Sequence, residues 1–249
     1  MNESEEMTRH LLDLCRRADQ GGFRCYSSFL TPAEQDDFIR HPSAASFCWN
    51  FEGGYENAER KILAAGTDDE TGPAEVPIRI IRAEPQNDKF AEDLTHRDYL
   101  GAVMNLGIDR STVGDIIVRD RKAWIVCLAH VADILQTDLT RVRRTSVRTS
   151  EGSPEDEELK PRFEPVFVNA ASERLDAMAA EFSGVSRSQI SPLFSAGKIF
   201  VNGRAVTDRS AKLHPGDVLS IRGFGKGRYE GIDRETRKGR LVALFQKYV

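Results

Sequence analysis

Long apolar runs are missing from this chain of 249 residues. The longest, AWIVCLAHVADIL (123–135), is broken by His130 and Asp133 and falls short of the roughly 20 apolar residues a membrane helix needs. No membrane partner is expected. Cysteine is scarce: Cys15, Cys25, Cys48 and Cys127, with no C-x-x-C pair. That excludes a disulfide-stapled scaffold and points to a reduced, cytoplasmic setting with buried thiols. The opening MNESEEMTRH is polar and acidic, unlike a secretory leader. Metal-ligand spacing is absent as well. His10, His41, His96, His130 and His214 are scattered, so neither a metal nor any other cofactor is expected. Net positive charge is also lacking: 35 Lys and Arg face 39 Asp and Glu, for −4. Taken alone, that total argues against a polyanionic partner.

The distribution of charge reverses the argument. Residues 172–249 hold 14 basic and 8 acidic side chains, whereas residues 1–171 hold 21 and 31. A basic end on an acidic body is the asymmetry of a nucleic-acid-binding module, although two solvated surfaces with chance clustering would show it too.

Periodicity predicts an α+β chain. Met7, Leu11, Leu14 and Ala18 recur at helical spacing, and Thr31-Pro32 opens a second helix with acids in its first turn. SFCWNFEGG reads as a strand, a helix is expected at 55–65, and 67–75 reads as a loop. VPIRIIRAEP then predicts a strand, THRDYLGAVMNLGI a helix and VGDIIVRDRKAWIVCLA a hairpin. HVADILQTDL predicts a helix, and TRVRRTSVRT one alternating strand with arginines on both faces. This order is that of a ferredoxin- or RRM-like α/β domain. The expected organisation is a helical and α/β segment at 1–75, the RRM-like domain at 76–150, an acidic linker at 151–165 and a small C-terminal domain at 166–249.

The last domain carries the chemistry. Ser172 and Ser186 are each expected to cap a short apolar-faced helix, Gly197 stops the second, and Asn202-Gly203 turns a hairpin. With Ile190, Leu193 and Phe194 inward, the first turn of the second helix presents Ser186, Arg187, Ser188 and Gln189 outward. Free N–H groups at a helix start attract phosphate, and arginine adds a forked donor. Lys198 and Arg204 flank the hairpin. From 183 to 228 there are 8 basic residues against 2 acids, which predicts one concentrated basic face suited to a sugar-phosphate backbone. Arg187 and Lys198 are read as RNA contacts rather than merely solvated cations. Asn202 and Gly203 are read as a turn first and a contact second. Arg174 with Asp176 is open between an internal ion pair and a phosphate contact. RGFGKGR (222–228) lacks the lysine-hydroxyl ending of a phosphate loop and reads as a flexible basic arm carrying Arg222, Lys226 and Arg228, with Phe224 free to stack or to pack inward.

The pattern R-L-D, S-R, G-K-I-x-V-N-G and P-G-D-V-L over about 174–222 resembles the αL motif of the S-four RNA-binding domain, with two helices and a β-hairpin sheet. Ile190 departs from it, since a small alanine is more usual there. HRDYLGAVMNLGIDRSTVGDIIV before the motif and RGFGKGRYEGIDRETRKGR after it resemble the YlmH family of bacterial and plastid RNA-binding proteins. That resemblance implies a non-catalytic factor that binds rRNA or tRNA on stalled large ribosomal subunits. It also implies work beside other quality-control factors that support C-terminal tailing of the nascent chain.

The competing reading is an RNA-modifying enzyme that uses this domain to dock RNA. ERLDAM contains the Arg-Leu-Asp found around the catalytic aspartate of pseudouridine synthases, yet only about 75 residues follow it. No glycine fingerprint for a methyltransferase cofactor follows a strand. His96, Arg97 and Asp98 are consecutive at a helix start and diverge in direction, so a cap or partner contact is favoured over acid-base chemistry.

Overall fold

The computed structural model describes residues 3–56, 58–67, 75–153, 157–160 and 162–248. The chain divides into two compact units, Met1–Lys160 and Pro161–Val249. The expected division at residue 75 falls inside the first unit.

In the first unit, α1 (Glu3–Gly21) buries Leu11, Leu14, Cys15 and Ala18 as one stripe, the apolar face its spacing demands. After β1 (Cys25–Tyr26), Thr31 and Glu34 form a capping box at α2 (Pro32–Ile39), with Pro32 at the first helical position. β2 (Trp49–Glu52) and β3 (Ile62–Ala65) complete a three-stranded sheet in the order β1-β3-β2. The helix expected at 55–65 is therefore a strand at its C-terminal end. Ile62, Leu63, Ala64 and Ala65 are all fully buried. A central strand covered on both faces has a continuous apolar run, and periodicity alone does not separate that from a buried helix. The loop expected at 67–75 lies mostly outside the described residues.

β4 (Ile78–Pro85), α3 (His96–Asn105), β5 (Val113–Arg119), β6 (Lys122–Leu128), α4 (Ala129–Asp138), β7 (Arg141–Val142) and β8 (Thr145–Glu151) follow. Their antiparallel sheet runs β5-β6-β4-β8-β7, the split β-α-β order of the ferredoxin-like fold. TRVRRTSVRT is not one strand. Val142 pairs with Thr145 across a two-residue turn, and Arg143 takes φ 51° there. Alternation through the segment misses the turn because arginine is not a residue that announces positive φ. Asp98 closes the capping box of α3 with Thr95 and holds Arg143 at 3.3 Å, so within the His96–Asp98 triplet it is Asp98 that caps the helix.

Strand alternation gives this sheet two buried faces. Ile81, Ala83, Ile125 and Cys127 pack under Tyr99, Val103, Val131 and Leu135 of the helices. Ile78, Ile80, Trp124 and Val126 pack against Phe29, Ile62 and Leu159. The face on which an RRM stacks bases is thus sealed by the unit's own N-terminal segment. Asp115 fastens that segment: it accepts from the Tyr55 hydroxyl (2.8 Å) and the backbone N–H of Glu59 (2.7 Å) and Arg60 (3.2 Å). Burial pushes its carboxyl above the ordinary range even against these bonds. Leu159 sits in a 3-10 turn, Glu157–Leu159, and is buried in this core. That part of the expected linker is fastened to the first unit, and residues 154–156 and 161 lie outside the described ones.

The second unit opens with β9 (Phe163–Ala170), α5 (Leu175–Ser183) and α6 (Arg187–Ser195); the N-cap of α5 is Arg174 and not the expected Ser172. β10 (Ile199–Val201), β11 (Arg204–Ala205), β12 (Val218–Ile221), β13 (Gly225–Glu235) and β14 (Leu241–Tyr248) complete it. These strands form a six-stranded sheet, β11-β10-β12-β13-β14-β9, larger than the hairpin sheet expected. The helices cover one face through Met178, Phe182, Ile190 and Phe194, against Ile199, Leu219, Ile221, Tyr229 and Phe245. RGFGKGR is no flexible arm: Gly225, Lys226, Gly227 and Arg228 are ladder residues opposite β12. Gly227 faces the core so closely that a Cβ there would meet the Phe182 ring at 2.6 Å. RKGR (237–240) is the β13–β14 turn, with Arg240 held by Glu181 and Asn169.

Candidate nucleic-acid interface

The start of α6 is built by its own side chains. Ser186 Oγ accepts from the Gln189 N–H at 3.4 Å, and Gln189 Oε1 accepts from Ser186 N at 3.0 Å, a reciprocal capping box. The Ser188 hydroxyl lies 2.8 Å from that of Ser186. Ser186 and Gln189 therefore act first on the helix itself, and what they leave for a ligand is an ordered helix start with a positive dipole end.

Arg187 and Arg174 converge beside it. Asp176, at the first turn of α5, accepts from Arg174 Nε at 3.1 Å and from Arg187 Nη2 at 3.3 Å. Arg187 Nη2 also reaches Ser172 Oγ at 3.5 Å. The Asp176 side chain is only 13% exposed, whereas those of Arg174 and Arg187 are 47% and 49% exposed. Arg174 and Asp176 form an ion pair, and it takes in Arg187 as well. Each guanidinium has five N–H donors and spends only one or two on this carboxylate and its serine neighbour. About half of each arginine side chain stays exposed beside the helix start.

Arg209 also reaches this side, and the sequence reading missed it. The Asp176 N–H donates to Arg209 O at 3.1 Å, and Arg209 Nη1 donates to Ser191 Oγ on α6 at 3.3 Å. Its only sequence signal is membership in the basic count of 183–228.

The expected single basic face is two faces. Ile199 and Ile221 pair and point into the core, so the flanking Lys198 and Arg222, joined by an Arg222 N–H to Lys198 O bond of 3.0 Å, lie toward the helix-free face. Lys226 and Arg228 flank the inward Gly227 and lie on that same face. Arg204 pairs with Val201 and so lies on the helix side at the sheet edge. Arg174, Ser186, Arg187, Ser188 and Gln189 are together at the helices. Asn202 and Gly203 are a turn, both at positive φ (51° and 80°). The Asn202 carboxamide donates to Asp217 at 2.8 Å and accepts from Val218 N–H at 2.9 Å, so it is spent internally. Phe224 is 39% exposed in the turn before β13.

Among the described residues no cluster of three or more His, Cys, Asp or Glu is placed to hold a metal ion, and no helix is long and apolar enough to cross a membrane. A short two-helix unit with paired arginines at an exposed helix start, laid on an antiparallel sheet, defines the class: a protein with an αL-type RNA-binding domain. Residues 173–219 match the S4 domain, and residues 78–156 match the model described as "Putative RNA-binding domain in YlmH". The chain is 30% identical over 225 residues to the Bacillus subtilis (strain 168) protein "Ribosome-associated protein quality control protein P2", covering 89% of this chain and 86% of the relative. This chain belongs to the YlmH family. In fold it is similar to the solved structure "Cell division protein ylmH from Streptococcus pneumoniae", with TM-score 0.51 and 19% identity over 63% of this chain and 95% of that one.

Proposed function

We propose that this protein is a non-catalytic RNA-binding factor of ribosome-associated quality control, working in the cytoplasm on rRNA or tRNA held by the large ribosomal subunit. The observation that carries this reading is the Arg174–Asp176–Arg187 cluster at the capped start of α6. A buried carboxylate orients two half-exposed guanidiniums, which is how a phosphate site avoids spending binding energy on ordering its arginines. The αL-domain match and the relative named for ribosome-associated quality control supply the setting. Phosphates dominate such binding, and each neutralised phosphate adds about 0.7–0.9 to the slope of log affinity against log salt.

Arg187→Ala should therefore weaken binding to large-subunit RNA and make the slope shallower by about one, with the thermal midpoint little changed. An unchanged slope would overturn the assignment of this residue. Sequencing of RNA crosslinked to the tagged protein in cells should recover large-subunit rRNA or tRNA, and recovery of messenger RNA alone would count against the ribosomal setting.

A further inference from the structure

The helix-free face of the six-stranded sheet carries rings and cations in an order that folding does not require. Arg222 lies over Phe200 at 4.9 Å from the ring centroid, Lys226 over Tyr248 at 4.5 Å, Arg228 over Phe163 at 5.2 Å and Arg234 over Phe167 at 5.8 Å. Phe163 and Tyr248 meet edge to face at 4.9 Å. Register aligns them. Phe200 is opposite Ser220, Ser220 opposite Lys226, and Tyr248 opposite Phe163. The Lys226–Tyr248 contact joins the two halves, so one line crosses five strands from β10 to β9. At the usual strand separation that line is about 19 Å long.

Alternation and burial show which face this is. Ile199, Leu219, Tyr229 and Phe245 point into the core beneath the helices, so their neighbours point the other way. None of these rings is fully buried, and Phe167 is 54% exposed. Lys198, Arg222, Lys226, Arg228 and Arg234 face this surface, where Glu230 accepts from Arg228 and Asp233 pairs with Arg234.

We propose that this face binds unpaired RNA nucleotides, with bases stacked on Phe163, Tyr248 and Phe200 or on the guanidinium planes over them, and phosphates drawn to Arg222, Lys226 and Lys198. Half-buried rings interleaved with cations on an antiparallel sheet suit single strands, because every base has a stacking face and a duplex keeps its own bases covered. The inference rests on the RNA-binding reading above, but it uses a different surface, on the opposite side of the sheet from Arg187.

The test uses the full chain, a labelled uridine dodecamer and a 12-base-pair RNA duplex, read by fluorescence anisotropy over a salt series. The double variant Phe163→Leu with Tyr248→Leu should lose about tenfold or more in affinity for the dodecamer. Its duplex affinity and its salt slope should be unchanged, since rings touch bases and not phosphates. Arg187→Ala should instead lower duplex affinity. A dodecamer carrying 4-thiouridine, photo-crosslinked to the unaltered protein, should map to peptides containing Phe163, Phe200 or Tyr248, which decides the matter even if the double variant misfolds. Undiminished dodecamer affinity in a folded double variant, or crosslinks confined to α6, overturns this proposal and leaves the RNA-binding reading standing. Absence of binding to either RNA by the unaltered protein overturns both. Crosslinks absent from RNA but formed to another protein at these rings would make the face a protein-docking surface, which also overturns it.

Discussion

In the sequence Asp176 is a candidate partner for Arg174 alone, yet its position beneath two arginines makes it the organiser of the αL cluster. The cysteines show the same dependence on surroundings. Burial pushes the Cys15 thiol up to about 11 and the Cys127 thiol up to about 12, whereas Cys48 is exposed. Ellman's reagent should label Cys48 in the native protein and reach Cys15 and Cys127 only on unfolding, because the thiolate is the nucleophile. The sign of the linkage follows. Unfolded thiols ionise near pH 8.5–9, while the folded protein still holds those protons, so stability is intact below that range. It should fall as pH rises toward 11, by at most about 1.4 kcal/mol per pH unit for each thiol. Urea unfolding at pH 7.5 and pH 10 measures this, and equal midpoints would show that the buried thiols are not the titrating groups.

Elements were legible where a side chain states its own geometry. The Thr31-Pro32 and Ser186 helix starts and the Asn202-Gly203 turn are where the residues place them, since caps and positive-φ turns follow from local chemistry. Asn202 does more than turn the chain: its carboxamide ties the turn to Asp217 and Val218. Asn202→Ala should cost about 2 kcal/mol, from a strained left-handed alanine and two lost hydrogen bonds, read as a lower urea midpoint with an unchanged slope. Asn202→Gly should recover the conformational part only. Elements decided by distant partners were not legible. β3 looked helical because a strand covered on both faces has a continuous apolar run, and the Arg143-Arg144 turn was hidden because its residues are not turn formers.

At the scale of the molecule, charge and build divide together. The acidic first unit seals both faces of its larger sheet with its own residues, whereas the basic second unit leaves one sheet face uncovered by helices. Removal of residues 1–160 should leave affinity for short RNA nearly intact and reduce selection of large ribosomal subunits over free RNA in a pelleting assay. Unchanged selection would assign target choice to the second unit alone. The sequence by itself determined the α+β class, the αL motif, the basic end and most helix starts, because these rest on propensities, caps and composition that act over a few residues. Only the tertiary structure decided which cations share a face. Alternation sends Lys198, Arg222, Lys226 and Arg228 to one side of a six-stranded sheet and leaves Arg174 and Arg187 on the other. That sorting depends on strand register between segments as distant as β9 and β14, and pairing across such separations is set by burial of a shared core rather than by any local pattern.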